Sequence, residues 1–142
     1  MMEEMETEMV SADGKVENGR LFLIEESSPG DDQLTVAMEM GGERYEASAE
    51  TYFEAFVMVR RQLEPLGLFP RCNGTLINVY PSPMSLSMGD GRKAYRLTMG
   101  KQALMKDLVD IFDMPEETEG ELATVQNQAE FYERWISSLS GR

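Results

Sequence analysis

The chain contains no histidine, and that absence removes more chemistry than any other feature of its composition. Without imidazole there is no ordinary general base near neutral pH, no Ser-His-Asp or Cys-His arrangement, and no supply of the commonest transition-metal ligand. Cysteine occurs once, at Cys72, so no intrachain disulfide can form and no thiolate cluster can hold zinc or an iron–sulfur centre. A reducing compartment fits, and Cys72 reads as a small buried hydrophobe at a strand start. No apolar run approaches the ~18–20 residues that cross a bilayer, and the opening MMEEMETEMV is acidic where a secretory signal is basic. The expectation is a cytoplasmic protein with no membrane partner.

Basic residues are also scarce, 13 against 26 acids, for a net charge of −13. Such a chain repels a nucleic-acid backbone, whose neutralisation needs clustered Lys and Arg, so no nucleic-acid partner is expected. The same charge keeps a protein soluble, as in many bacterial cytosolic proteins, and steers a basic partner towards it.

What is present points to one α+β domain preceded by an arm. Residues 1–19 carry six acids against Lys15, with Asp13-Gly14 and Asn18-Gly19 as turn signals. Met1, Met5 and Met9 are spaced as a thin helical stripe. The segment reads as an acidic, flexible N-terminal arm, and residues 20–142 as a single domain. LFLIEE (21–26) is a strand candidate, SSPGDD a loop, and LTVAMEM and ERYEASA flank Gly41-Gly42 as a hairpin.

A helix is expected over 48–66, with Ser48 as its cap, Tyr52, Phe56, Val59 and Leu63 as its buried stripe, and Arg60, Arg61 and Glu64 outward. TLINVY (75–80), RKAYRLTM (92–99) and LVDIF (108–112) read as strands, and Thr124 caps a last helix. The order βββα-βββα predicts a mainly antiparallel sheet of about six strands with two helices packed on one face.

Charge is distributed unevenly. Residues 71–106 hold Arg71, Arg92, Lys93, Arg96, Lys101 and Lys106 against Asp90 alone, while 1–70 and 107–142 are strongly acidic. Three accounts fit this basic insert. Its cations can pair with acidic neighbours across strands. Alternatively Gly89 and Gly91, beside Arg92 and Lys93, form a backbone cradle for an anion or metabolite, although the stretch lacks the phosphate-loop and dinucleotide fingerprints and Asp90 sits at its centre. Thirdly, VYPSPMSLSMGDGRKAY (79–95) is a contact loop whose Met84, Leu86 and Met88 meet a partner.

Other chemistry is sparse. Asp107, Asp110 and Asp113 do not converge if LVDIF is a strand, and read as solvated carboxylates. Ser82, Ser85 and Ser87 have no imidazole base. No metal site, cofactor or catalytic residue is expected.

The segments CNGTLINVYPSPMSLSMGDGRKAYRL, LVDIFD and QAEFYERWISSL together resemble small uncharacterised bacterial α+β proteins, over most of residues 45–140. In size, acidity and lack of catalytic residues the chain is similar to immunity proteins of bacterial toxin systems. That resemblance implies a non-catalytic protein that binds and blocks a cognate partner, often by presenting carboxylates to a basic cleft; it transfers no individual residue. On this reading Tyr80, Met84, Met88 and Tyr95 anchor a basic protein partner, and Glu116, Glu117, Glu119 and Glu121 form an electrostatic edge. A small-molecule or anion-binding protein, including an enzyme built on the glycine loop, is the competing class, and a homo-oligomer joined through strand edges or the Met loop is a third.

Overall fold

The acidic first segment is a strand, because its side chains alternate. Glu4, Glu6 and Glu8 fall on one side and Met5, Thr7 and Met9 on the other, and Met9 is almost completely buried. The methionine spacing of four residues suits one face of a strand as well as one face of a helix. In the computed structural model, which describes residues 1–25, 33–116 and 120–140, β1 (Met2–Ser11) pairs antiparallel with β2 (Val16–Glu25) along nearly its whole length. The expected arm is therefore part of a sheet. Gly14, at φ 88°, makes the turn between the two strands. The Ser11 hydroxyl, and behind it the Lys15 N–H, hold the Asp13 carboxyl below its ordinary pKa in that turn.

Asn18-Gly19 is not a turn but lies inside β2. A Cβ on Gly19 would stand 2.9 Å from the Glu39 carbonyl oxygen, so glycine permits close approach of the neighbouring backbone. The hairpin of β3 (Leu34–Met40) and β4 (Glu43–Ala49) turns at Gly41-Gly42, both at positive φ as expected. The SSPGDD loop lies outside the described residues.

After β4, Thr51 rather than Ser48 caps α1 (Tyr52–Leu63), its hydroxyl accepting from the Glu54 N–H at 3.1 Å. Glu64–Leu66 continue as one 3-10 turn, ended by Gly67 at φ 71°. Tyr52, Phe56, Val59 and Leu63 are buried as expected, but Arg60, expected outside, is only 1% exposed with its guanidinium 5.7 Å from the Phe56 ring centre. Its long stem is apolar enough to join a core if the head group is held.

β5 (Leu68–Pro70) then pairs with β1, giving the sheet order β4-β3-β2-β1-β5. The helix α1 packs against β3 and β4, and the inner side of the sheet carries Met9, Leu21, Leu23, Val36, Met38 and Ala47. The other side holds ionic rows in which Glu6, Arg20, Glu39 and Arg44 are cross-strand neighbours.

These elements form one compact unit, Met1–Arg71, and Cys72–Arg142 form a second, where sequence patterning predicts a single domain after the arm. In the second unit a 3-10 turn (Asn73–Thr75) precedes β6 (Val79–Tyr80), much shorter than the expected TLINVY strand. The backbone of residues 75–77 is occupied elsewhere: Ala123 N–H donates to the Thr75 carbonyl and Ile77 N–H to that of Glu121. The proline and serine stretch folds into a short helix, α2 (Pro83–Met88), where a loop was expected. Ser82 and Ser85 cap each other reciprocally at its start.

The strands β7 (Lys93–Arg96) and β8 (Leu108–Asp110) complete a three-stranded antiparallel sheet in the order β6-β7-β8, and α3 (Val125–Ser138) begins at Thr124 as expected. The architecture is α+β, with eight strands in two antiparallel sheets and three α-helices among the described residues. No helix among them is long and apolar enough to cross a membrane.

The second unit depends on Gln128, 1% exposed, whose amide donates to the carbonyls of Gly74 at 2.8 Å and Leu76 at 2.9 Å. Truncating it strands two buried carbonyls and opens a void. Gln128→Ala should lower stability by about 2–3 kcal/mol in chemical denaturation, whereas Gln126→Ala, on the exposed face of the same helix, should change it by less than about 0.5 kcal/mol. In the first unit, Gly19→Ala should cost about 1–3 kcal/mol, because a backbone oxygen must move to admit the methyl group. Urea titration of each variant, with amide exchange to assign the loss to one unit, checks both.

Candidate functional site

The register of the smaller sheet places Tyr80, Tyr95 and Leu108 in one cross-strand row. Val79 and Ala94, on the opposite side of their strands, are completely buried, so the tyrosine row lies on the outer face. Beside it, Tyr132 of α3 stacks on Tyr80 with ring centres 4.3 Å apart and planes 18° apart, and Trp135 continues the stack 6.0 Å beyond. The Trp135 indole N–H donates to the carbonyls of Thr98 at 3.1 Å and Lys101 at 3.0 Å, tying the helix to the turn after β7.

These rings, with Pro81, Pro83, Met84, Leu97, Ala103 and Leu139, line an open groove of about 560 Å³. Ser82 and Gln102 supply its remaining walls, and among the described residues no charged side chain belongs to the lining. Three of the four expected anchors, Tyr80, Met84 and Tyr95, are thus brought together. Met84 is 67% exposed at the groove edge. Met88 ends α2, and its side chain falls outside what the structure describes.

Tyr132, Trp135, Leu139, Gln102, Leu97 and Ala103 are groove residues that sequence reasoning did not nominate. The first three recur at helical spacing, and along α3 only Val125 and Gln128 are buried. The signal was the change of residue type along that stripe, from small and aliphatic to large amphipathic rings, which tolerate one wet edge.

The glycine loop is arranged differently from an anion cradle. The N–H groups of Gly89 and Gly91 both donate to the Ser85 carbonyl, and that of Arg92 donates to Gly89. Asp90, at φ 55°, and Gly91, at φ 74°, carry the chain through this turn. The Arg92 guanidinium lies 2.9 Å from Asp110 Oδ2, and Asp110 Oδ1 also accepts the Phe112 N–H. The loop's donors therefore close the loop on itself and hold it to β8. Lys93 is exposed on β7 and pairs in register with Asp110.

The cross-strand account holds for part of the basic insert, since Arg71 also meets Glu8, at 3.6 Å. Asp107 caps the Leu104 N–H at 2.9 Å, so the three aspartates do not converge, and Asp110, expected to be solvated, is a largely buried partner. Cys72 is buried as expected, with Sγ 3.6 Å from Thr75 Oγ1.

Of the expected acidic edge, Glu116 and Glu121 are exposed, and the Glu121 carbonyl is engaged by Ile77; Glu117 and Glu119 lie outside the described residues. A second concavity, on the first unit, is polar. It is lined by Glu6, Arg20, Glu39 and Arg44 among others, and Arg44 is held more firmly protonated by its hydrogen bonds to Glu39 and then Glu46. Within the lining Arg44 pairs with Glu39, and Arg20 pairs with Glu4 just outside it.

No protein-family model matches the chain, and no curated protein matches it. The residues' own geometry therefore carries the functional reading.

Removing the Arg92 side chain should strand a mostly buried carboxylate. Arg92→Ala is expected to destabilise the second unit by about 1–3 kcal/mol. Lys93→Ala should stay within about 0.5 kcal/mol of wild type. Thermal denaturation of the two variants side by side gives the comparison.

Proposed function

We propose that the chain is a non-catalytic protein-binding module that captures and neutralises a basic polypeptide, an immunity-type inhibitor working in the cytoplasm. The observation that carries this reading is the convergence of Tyr80, Met84, Tyr95, Tyr132 and Trp135 on one open groove with no charged lining among the described residues. Binding energy at protein interfaces concentrates in aromatic anchors that lose water, surrounded by a rim that contributes less. Methionine at the edge adapts to an irregular surface.

Charge has a separate part in this reading. A net charge of −13 raises the encounter rate with a basic partner, and the rate falls as salt screens the field. Neither the groove nor the field calls for a cofactor.

The test is capture with wild type and with two groove-edge variants, Met84→Glu and Gln102→Ala, each altering an exposed side chain. The reading expects wild type to retain a basic polypeptide, both variants to lose most of it, and association to slow markedly between low salt and about 0.5 M salt. The retained polypeptide should lose its own activity on binding. Equal retention by all three proteins would sink the groove's role. Turnover of a substrate by the purified chain would sink the non-catalytic role, and sedimentation as a stable dimer that Met84→Glu dissociates would assign the groove to a second copy instead.

A further inference from the structure

We infer that the groove takes an extended, proline-bearing segment with acidic flanking residues; this rests on the protein-binding reading and specifies the segment that enters. Three observations separate an extended segment from the other ways a peptide can dock.

The first concerns the wall after β6. Pro81 and Pro83 have no N–H to donate, and the Ser82 N–H is taken by Ser85 Oγ at 2.8 Å. A strand added beside this wall would find no donors across residues 81–83, which removes β-augmentation there.

The second concerns unused polar groups. Tyr95, Tyr132 and Gln102 line the groove, and their hydroxyl and amide groups make no side-chain hydrogen bond among the described residues. A helical ligand satisfies its own backbone, whereas a polyproline II segment makes no internal hydrogen bonds and presents carbonyls that need donors. Phenolic and amide N–H and O–H groups spaced along an apolar floor meet that need. The rings supply flat apolar surface for pyrrolidines, which reach the groove already ordered and so lose little conformational entropy.

The third is local charge. Among the described residues no carboxylate lines the groove, while Lys93 lies two residues from Tyr95 on the same side of β7 and Lys101 is adjacent to Gln102. Both lysines are exposed, and neither forms an ion pair among the described residues. The groove thus belongs to the basic part of an acidic chain, and it favours carboxylates beside the prolines even in a partner that is basic as a whole.

Trp135 is the only tryptophan, so its emission reports on the groove without a label. The full chain is titrated with four synthetic peptides: a Pro-x-x-Pro peptide flanked by glutamates, the same peptide with alanine for proline, the same with lysine for glutamate, and an amphipathic helical peptide. The acid-flanked proline peptide should give a saturable change. Affinity should fall about five-fold or more on removing the prolines, on reversing the flanks, and with Gln102→Ala or Lys101→Glu protein, the loss of one hydrogen bond or charge contact.

No saturable change up to about 1 mM of the proline peptide overturns the proposal, as does equal or tighter binding of the helical peptide. Unchanged affinity in both protein variants overturns it too. If the peptides fail while Met84→Glu still abolishes partner capture, only the extended-segment proposal is lost. If capture is also indifferent to Met84→Glu, the groove reading falls with it.

Discussion

The candidate site depends on one buried amide. Gln128 reaches back from α3 to two carbonyls, one inside the 3-10 turn before β6 and one just after it, and so sets the height and rotation of the helix against the small sheet. Tyr132 follows one turn later on the same helical face, which is why it arrives over Tyr80 at stacking distance. Trp135 then fixes the far end of the helix through its indole N–H. A three-stranded sheet whose strands run only two to four residues has little ladder of its own, so these side-chain-to-backbone bonds carry the geometry.

The two sheets handle charge in opposite ways. The five-stranded sheet interleaves acidic and basic side chains on one face, with Arg20 against Glu4 at 3.0 Å and Arg44 between Glu39 and Glu46 at 2.7 and 2.9 Å. Exposed pairs of this kind add little stability individually, but they keep like charges from facing one another across the strands. In the second unit Arg92 and Asp110 form the better-shielded pair, and Lys93 and Lys101 remain exposed near the aromatic groove. On the proposed binding reading, an acidic chain with a locally basic, apolar groove would separate long-range attraction from short-range recognition, because a field acts over many ångströms and a groove only on contact.

The segment between β6 and β7 shows how local rules combine. Two prolines and three serines look like loop composition, yet a proline at the first helical position needs no N–H partner and a serine before it accepts from the first free donors. The result is α2, which turns Met84 towards the groove edge and leaves Asp90 and Gly91 to absorb the positive φ values on the way to β7.

Local pattern alone determined a good deal: the antiparallel α+β class, the Gly41-Gly42 hairpin, the stripe of α1, the cap at Thr124 and the burial of Cys72 all follow from interactions within a few residues or from side-chain polarity. It also nominated Tyr80, Met84 and Tyr95. What required the tertiary structure was every feature made by residues far apart in the chain. The Met1, Met5, Met9 spacing serves helix and strand equally, and pairing with β2 decides between them. Gly19 resembles a turn residue until the Glu39 carbonyl is beside it, and Asp110 resembles a solvated carboxylate until Arg92 reaches it. Tyr132 and Trp135 are groove walls because the small sheet leaves that part of α3 half-exposed. Periodicity records which side of an element is apolar, and only packing determines whether another element covers it.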